Sequence, residues 1–337
     1  MEDYVRPIVH VDVARPPGAL PLAGGWGWFT HVEVLSRRQE PRIVAVQDMD
    51  SDRLDVLTAH REPIAGLTLD RPRIMGIINT TPDSFSDGGK HHSVATARDG
   101  ALSMSAADIL DIGGESTRPG ADFIPEPQEI ERTAPVVRAL RDAGIDQAIS
   151  IDTRKAGVAS AALEAGATLV NDVSGFTFDA ELAPLCAARE VPVCVMHAQG
   201  DPATMQKDPQ YRDVLLDVYD FLNTQISALV QQGLSRSQII ADPGIGFGKT
   251  LEHNLSLLAR LSLFHSLGVP ILLGASRKRF IGTIGKADVP QDRLPGSVAV
   301  ALAALKHGTQ IVRVHDVAET AQAIALWRAS VAGCADG

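Results

Sequence analysis

The sequence predicts a parallel (β/α)8 barrel preceded by an N-terminal extension, and three observations carry that expectation. From residue 73 onward, eight short apolar segments alternate with helix-like stretches. The segments are almost continuously apolar, as strands buried on both faces must be. Several helix-like stretches end in glycine, at Gly144, Gly166 and Gly268, where a left-handed cap is expected. Eight such units close into a barrel of about 250 residues, which is one domain. An open doubly wound sheet would more often have fewer strands and a glycine-rich first turn, and no GxGxxG follows the first segment.

The eight strand candidates are RIMGIIN (73–79), ADILDIG (107–113), AISID (148–152), ATLVND (167–172), VPVCVMH (191–197), QIIADPG (238–244), PILLGAS (270–276) and TQIVRVHD (309–316). Helices are expected between them, for example over 125–144 and 154–166. Residues 71–334 form the barrel in this reading. Residues 1–70 differ: a Pro- and Gly-rich start gives way to short β-like runs such as HVEVL and RIVAV. They read as an extension, possibly a small α/β subdomain. Trp26 and Trp28 within it are expected to pack against the main domain rather than cap a free surface.

Composition sets the outer limits. The chain has 337 residues, of which 45% are hydrophobic, and a net charge of −10. That balance argues against a nucleic-acid or anionic-membrane surface. Positive charge for an anionic substrate must then be local to a pocket. The cysteines Cys186, Cys194 and Cys334 show no metal-ligand spacing, and an odd number cannot form a closed disulfide set. No signal-like start and no apolar run of about 20 residues is present, so a cytoplasmic protein is expected.

In a barrel of this kind, chemistry sits where each strand runs into its following loop. The first segment delivers Asn79, then Thr80, Thr81, Pro82, Asp83 and Ser84. The second delivers Asp111, then Glu115, Ser116, Thr117 and Arg118. The third gives Asp152 and Arg154, and the fourth Asn171 and Asp172. The fifth gives Met196 and His197. The sixth gives Asp242 and a glycine-rich loop with Phe247 and Lys249. The seventh gives Ser276, Arg277 and Lys278, and the last Arg313, His315 and Asp316. Any one of these has a plain structural reading: Asp172, for instance, suits a helix cap. Eight consecutive units ending alike outweigh chance capping.

Two chemistries separate. Arg118, Arg313 and His315, with Asn79, suit a phosphate, because arginine presents a planar fork to its oxygens. The Asn79 amide oxygen also suits Mg2+, which keeps most of its waters and favours substrate phosphates. Asp152, Asn171, Asp242 and Lys278 suit a flat, nitrogen-rich heterocycle, since a carboxylate accepts paired N–H bonds from an aminopyrimidine edge. The pocket therefore wants a heterocycle joined to phosphate.

The segments IMGIINTTPDSFSDGG (74–89) and DIGGESTRPGA (111–121) resemble the two signatures of the dihydropteroate synthase family. The resemblance continues through SIDTRK (150–155), NDVSG (171–175), VMHAQGDPATMQ (195–206), DPGIGFGK (242–249), GASRKRFIG (274–282) and RVHDV (313–317). It covers about residues 73–330. It implies condensation of 6-hydroxymethyl-7,8-dihydropterin pyrophosphate with p-aminobenzoate, giving 7,8-dihydropteroate and pyrophosphate. By motif it implies Asp152, Asn171, Met196, Asp242 and Lys278 at the pterin. It places Asn79, Arg118, Arg313 and His315 at the pyrophosphate, with Mg2+ on Asn79. Thr117, Phe247, Ser276 and Lys278 are implied at the aminobenzoate, under loops that include Asp83 and Ser84. Asp152, Lys278, Arg313 and His315 are the expected catalytic groups.

The resemblance also implies a homodimer through late outer helices such as 301–308, and inhibition by sulfonamides. Three features depart from the family pattern: the long extension, Ala198 in place of the more usual methionine, and Ala107 where glycine is common. Two rivals stand beside this reading. A methyltetrahydrofolate-binding methyltransferase would share the pterin set but has no use for a pyrophosphate site. A non-catalytic pterin-binding homologue would not need Asn79, Arg118, Asp152, Lys278 and Arg313 all intact.

Overall fold

The computed structural model describes residues 3–80, 90–116, 123–200 and 204–334. Eight parallel strands form the central sheet: β6 (Arg73–Asn79), β7 (Ile109–Gly113), β8 (Ala148–Asp152), β9 (Leu169–Asp172), β10 (Val193–Met196), β11 (Ile239–Asp242), β12 (Leu272–Leu273) and β13 (Ile311–Val314). Their spatial order is β11-β10-β9-β8-β7-β6-β13-β12. A parallel bridge from Ala241 to Ile271 joins the two ends, and the sheet closes into a barrel. All eight strands fall inside the segments expected from sequence.

Around the barrel lie α2 (Lys90–Ser103), α3 (Glu126–Asp142), α4 (Ala156–Ala165), α5 (Leu182–Ala188), α6 (Val214–Gln231), α7 (Leu251–Ala259), α8 (Arg279–Gly285), α9 (Leu294–Lys306) and α10 (Val317–Ala332). Sequence explains their ends. Gly166 closes α4 at φ +115°, a conformation costly for any residue with a Cβ. Asp213 opens α6 by accepting from the amides of Leu215 and Leu216, the usual work of an N-cap carboxylate.

Strand periodicity fixes what points inward. One apolar residue from each strand meets in a single cluster: Met75, Ile109, Ala148, Leu169, Cys194, Ile240, Leu272 and Ile311. Ile64 and Leu69, 2% and 3% exposed, join that cluster from the segment before β6 and stopper the barrel floor. Residues such as Leu110, Ile149, Val170 and Val195 face the other way and pack beneath the helices. Side chains alternate along a strand, so the next inward positions are Ile77, Asp111, Ser150, Asn171, Met196, Asp242, Gly274 and Arg313. A step of two residues turns an oily floor into a polar chamber.

Residues 3–60 carry β1 (Tyr4–Pro7), β2 (Leu20–Pro21), β3 (Trp28–Phe29), β4 (His31–Leu35), β5 (Arg42–Ala45) and α1 (Ser51–Thr58). β1, β4 and β5 make an antiparallel sheet, and Val5, Phe29, Val32, Val34 and Leu57 bury a separate small core. Polar bolts fix this unit to the barrel wall. Tyr4 Oη donates to Asp220 at 3.0 Å, and Arg37 pairs with Asp217 at 2.7 Å and Asp220 at 2.6 Å on α6. The Trp26 indole donates to the Leu305 carbonyl at 2.9 Å and meets Trp327 edge-on. Trp26 thus packs on the barrel, as the sequence suggests.

Candidate active site

Arg313 is the hub of the chamber. Its Nε donates to Asp111 at 2.6 Å and a terminal nitrogen to Asp152 at 2.7 Å. Asn171 donates its amide to the same Asp111 oxygen at 3.3 Å. Three strands, β7, β8 and β13, are thereby tied across the barrel by one guanidinium, with β9 joined through Asn171. Burial alone would lower the Arg313 pKa, but Asp111 and Asp152 raise it. Burial pushes Asp152 up to about 8, with Arg313 opposing and Asp111 adding to the rise. The two directions conflict for one ion pair. Arginine does not release its proton in proteins, and two charge-assisted bonds below 2.8 Å need ionised acceptors. The pair is therefore ionised, and Arg313's upward direction is the one the geometry supports.

Asp242 is 5% exposed at the end of β11 and accepts from the Gly244 amide at 2.7 Å. Burial raises its pKa, while that amide and Lys278 oppose the rise. Gly274 leaves room beside it: a Cβ there would lie 3.6 Å from Asp242 Oδ2 and 3.9 Å from Arg313. Lys278 reaches back over the loop after β11, where its ammonium donates to the Ile245 carbonyl and lies 4.1 Å above the Phe247 ring. Burial lowers its pKa to about 7, against the pull of Asp242. Met196, 4% exposed, closes the wall on β10.

The third expected set meets the second. Ser276 Oγ lies 3.0 Å from His315 Nδ1 and accepts the His315 amide at 3.2 Å. Asn79 and Asp152 flank Gly113, where a Cβ would be 3.9 Å from Asn79 Oδ1 and 3.8 Å from Asp152 Oδ2. Asp152, Asn171, Asp242, Lys278 and Arg313 share one chamber, with Asn79 at its β6–β7 rim. Thr117 and Arg118 lie outside the described residues, as do Asp83 and Ser84. Asp172 is structural but caps no helix: its carboxylate accepts from Ser174 and from the Phe176 amide in the turn after β9, while α5 starts only at Leu182.

Sequence reasoning named Asp111 but gave it no task. Its position two residues beyond Ile109 matches that of Asp242 beyond Ile240, and that register was the available signal. It also gave none to the buried network at the β7–β8 rim. Glu115 pairs with Arg154 and Lys155, both at 3.1 Å, and Lys155 pairs with Glu129 at 2.5 Å. Glu115 also accepts the Ile124 amide at 3.0 Å.

Two buried polar atoms in the chamber, Asp111 Oδ1 and Ser150 Oγ, have no hydrogen-bond partner among the described residues. Such groups are costly unless something donates to them. Among the described residues, no group of three His, Cys, Asp or Glu side chains could cage a metal. The chamber thus combines unmet acceptors, two flanking carboxylates and a rim cation. It can grip a flat donor-bearing ring and hold an anion at its edge.

Known proteins agree with that chemistry. Residues 75–315 match the pterin-binding enzyme family. The dihydropteroate synthase of Synechocystis is 46% identical over 289 residues, covering 82% of this chain and all of that protein. That of Escherichia coli is 44% identical over 269 residues, 79% of this chain and 94% of the relative. Among solved structures, the Yersinia pestis dihydropteroate synthase with a sulfonamide drug complex superposes with a TM-score of 0.75 at 44% identity, over 80% of this chain and 99% of that one. The Xanthomonas albilineans enzyme in complex with 7,8-dihydropteroate gives 0.71 at 41% identity, over 78% and 95%. With its family motifs in order on a closed barrel, and their described residues gathered in one chamber, the chain belongs to the pterin-binding enzymes and, within them, to the dihydropteroate synthase family.

Proposed function

We propose that the protein condenses 6-hydroxymethyl-7,8-dihydropterin pyrophosphate with p-aminobenzoate, releasing pyrophosphate and 7,8-dihydropteroate. The observation that carries this reading is the convergence of Asp111 and Asp152 on Arg313, with Asp242 beside it across Gly274 and Asp111 Oδ1 without a donor among the described residues. An aminopyrimidine ring supplies the missing N–H groups.

The reacting carbon is the pterin methylene. Its bond to the pyrophosphate oxygen breaks, a bond to the aryl nitrogen forms, and the amine releases one proton. The ring donates electrons to the carbon as the leaving group departs, so positive charge grows on the pterin. The Asp152 carboxylate stabilises that charge, and Arg313 holds Asp152 in place. Arg118, His315 and the free edge of Arg313 are the assigned partners of the departing pyrophosphate, in the manner of preorganised electrostatic catalysis. Phe247, Ser276 and Lys278, with Thr117, wall the aminobenzoate. Aligning a weakly basic amine with the carbon contributes much of the rate.

The donor set fits Mg2+ bound chiefly through water and substrate: Asn79 offers one amide oxygen at the rim, with no carboxylate cage among the described residues. Bound there, the ion would neutralise charge on the pyrophosphate. A homodimer through α9 and α10 belongs to the same reading, supported by Leu326 lying 67% exposed on α10. So does a cytoplasmic location: Cys186, Cys194 and Cys334 are free thiols, and no described helix is long and apolar enough to cross a membrane. Sulfonamides, as aminobenzoate mimics, should compete at the Phe247–Lys278 wall.

Mixing the protein with both substrates and Mg2+ should release pyrophosphate in step with dihydropteroate, and omitting aminobenzoate should stop the coupling. Methyl transfer from methyltetrahydrofolate to a corrinoid protein, without coupling, would overturn the reading in favour of the methyltransferase.

A further inference from the structure

The loop between β11 and α7, residues 243–249, is wound around its own lysine. Gly244, Gly246 and Gly248 adopt φ of +67°, +84° and +63°. Side chains are excluded at each by contact as well as by conformation. A Cβ would stand 1.9 Å from the His197 carbonyl oxygen at Gly244, 2.9 Å from Lys278 Cδ at Gly246 and 2.6 Å from the Gln199 carbonyl oxygen at Gly248. This winding turns carbonyl groups inward, and Lys249 folds back to meet them. Its Nζ lies 2.8 Å from the Gly244 oxygen, 3.0 Å from the Phe247 oxygen, and 2.8 and 3.3 Å from Nδ1 and the carbonyl oxygen of His197. The residue is 3% exposed, and its hydrogen bonds among the described residues go to carbonyl oxygens and an imidazole, with the Asp242 carboxylate acting on it only from beyond them.

A buried amine is expected to shed its proton, and burial does lower the Lys249 pKa. The geometry opposes that loss. Three carbonyl oxygens, of Gly244, Phe247 and His197, surround the nitrogen and match the three N–H groups of an ammonium, one more than a neutral amine could serve. His197 is held neutral, its pKa pushed down to about 2 by burial and by Lys249, and its Nδ1 completes the shell around the lysine nitrogen at 2.8 Å. The ammonium thus serves as the central cation of the loop, joining the ends of β10 and β11. The segment it pins, Ile245 to Phe247, is the one that Lys278 touches, through the Ile245 carbonyl and the Phe247 ring.

We propose that Lys249 is a positioning residue for the second substrate: it sets the Phe247 ring and the Ile245 carbonyl, and through them the Lys278 ammonium, against the aminobenzoate. The proposal rests on the synthase reading and deepens it. Lys249 itself touches neither substrate, since its Nζ is enclosed by the loop. Asp111 and Asp152 stand on β7 and β8, away from this loop, and Asp242, at the end of β11, is held by the Gly244 amide where the loop begins, so disturbing the pin at Lys249 should act on the aminobenzoate wall more than on the first substrate's site.

The test is a double-mutant cycle in the full-length protein. Lys249→Met should raise KM for aminobenzoate about tenfold while KM for the pterin pyrophosphate stays within about twofold. Added to Phe247→Ala, it should bring little further loss, because both changes remove the same wall. Pterin binding measured calorimetrically, without aminobenzoate, reports whether the variant is folded. If it does not bind, Lys249→Arg, which keeps the cation, is measured the same way and should show a smaller rise confined to aminobenzoate. Equal rises in both KM values, or full additivity with Phe247→Ala, would overturn the proposal. Wild-type protein that never couples the two substrates would remove the synthase reading first, and this proposal with it.

Discussion

The floor and the chamber of this barrel are built from the same eight strands, two residues apart, and they obey opposite rules. At the floor, Met75, Ile109, Leu169, Ile240, Leu272 and Ile311 are almost fully buried, capped by Ile64 and Leu69. Each such side chain contributes about 1.5–3 kcal/mol by leaving water. One step further along, Asp111, Asn171 and Asp242 are buried too and Arg313 half-buried, but as charges and amides, and Asp111, Asn171 and Arg313 find their partners on other strands. Desolvating those groups costs stability, and unmet acceptors such as Asp111 Oδ1 add to the cost. The difference teaches where the energy goes. The floor supplies free energy of folding, and the chamber spends part of it to hold charges in a shape that suits a ligand.

The sharpest way to break this comparison is to strike the hub of the chamber. Arg313→Ala strands Asp111 and Asp152, so kcat/KM should fall by about two to four orders of magnitude, in line with a loss of roughly 3–5 kcal/mol. Steady-state pyrophosphate release reads it, and near-normal turnover would end the assignment. The matching change at the floor should do the reverse. Leu69→Ala should cost about 2–5 kcal/mol of unfolding free energy in urea, with kcat and both KM values nearly unchanged at a temperature where the variant is folded.

A smaller effect separates the two regions by pH. Lys278 has its pKa lowered to about 7 by burial, and under the proposed function it serves aminobenzoate as the ammonium. Above pH 7 kcat/KM should therefore fall by up to about tenfold per unit, and Lys278→Arg should move that limb out of range. The stability slope has the opposite sign. Between the folded value near 7 and the unfolded value of 10.5, the unfolded chain binds more protons, so this group makes folding more favourable as pH rises. Activity and stability falling together above pH 7 would mean that another group titrates.

The extension makes a second contrast. Its sheet has a small core of its own, and its bolts Tyr4 and Arg37 grip Asp217 and Asp220 in the early turns of α6. Nothing in it reaches the chamber among the described residues. Its one structural intrusion into the barrel is the 64–69 stopper, at the end opposite the chemistry.

Much of this was legible along the chain. Strand candidates 73–79 and 148–152 coincide with β6 and β8, because strands buried on both faces leave an apolar run that periodicity exposes. Gly166 announced the end of α4, since a left-handed cap is a local demand. The polar residues after each strand mark the charged end of the barrel in the sequence itself, because alternation along a strand is also local. Partnership was not legible. That Arg313 answers Asp111 and Asp152, 202 and 161 positions away, follows only from barrel closure. That Lys249 binds its own loop and not a substrate depends on three left-handed glycines turning carbonyls inward. Sequence by itself determined which residues face the chamber, through the two-residue repeat of extended chain. Tertiary structure alone decided which of them neutralise one another and which remain for a ligand, because charges separated by hundreds of bonds interact only once the sheet has curled and brought them within hydrogen-bonding distance.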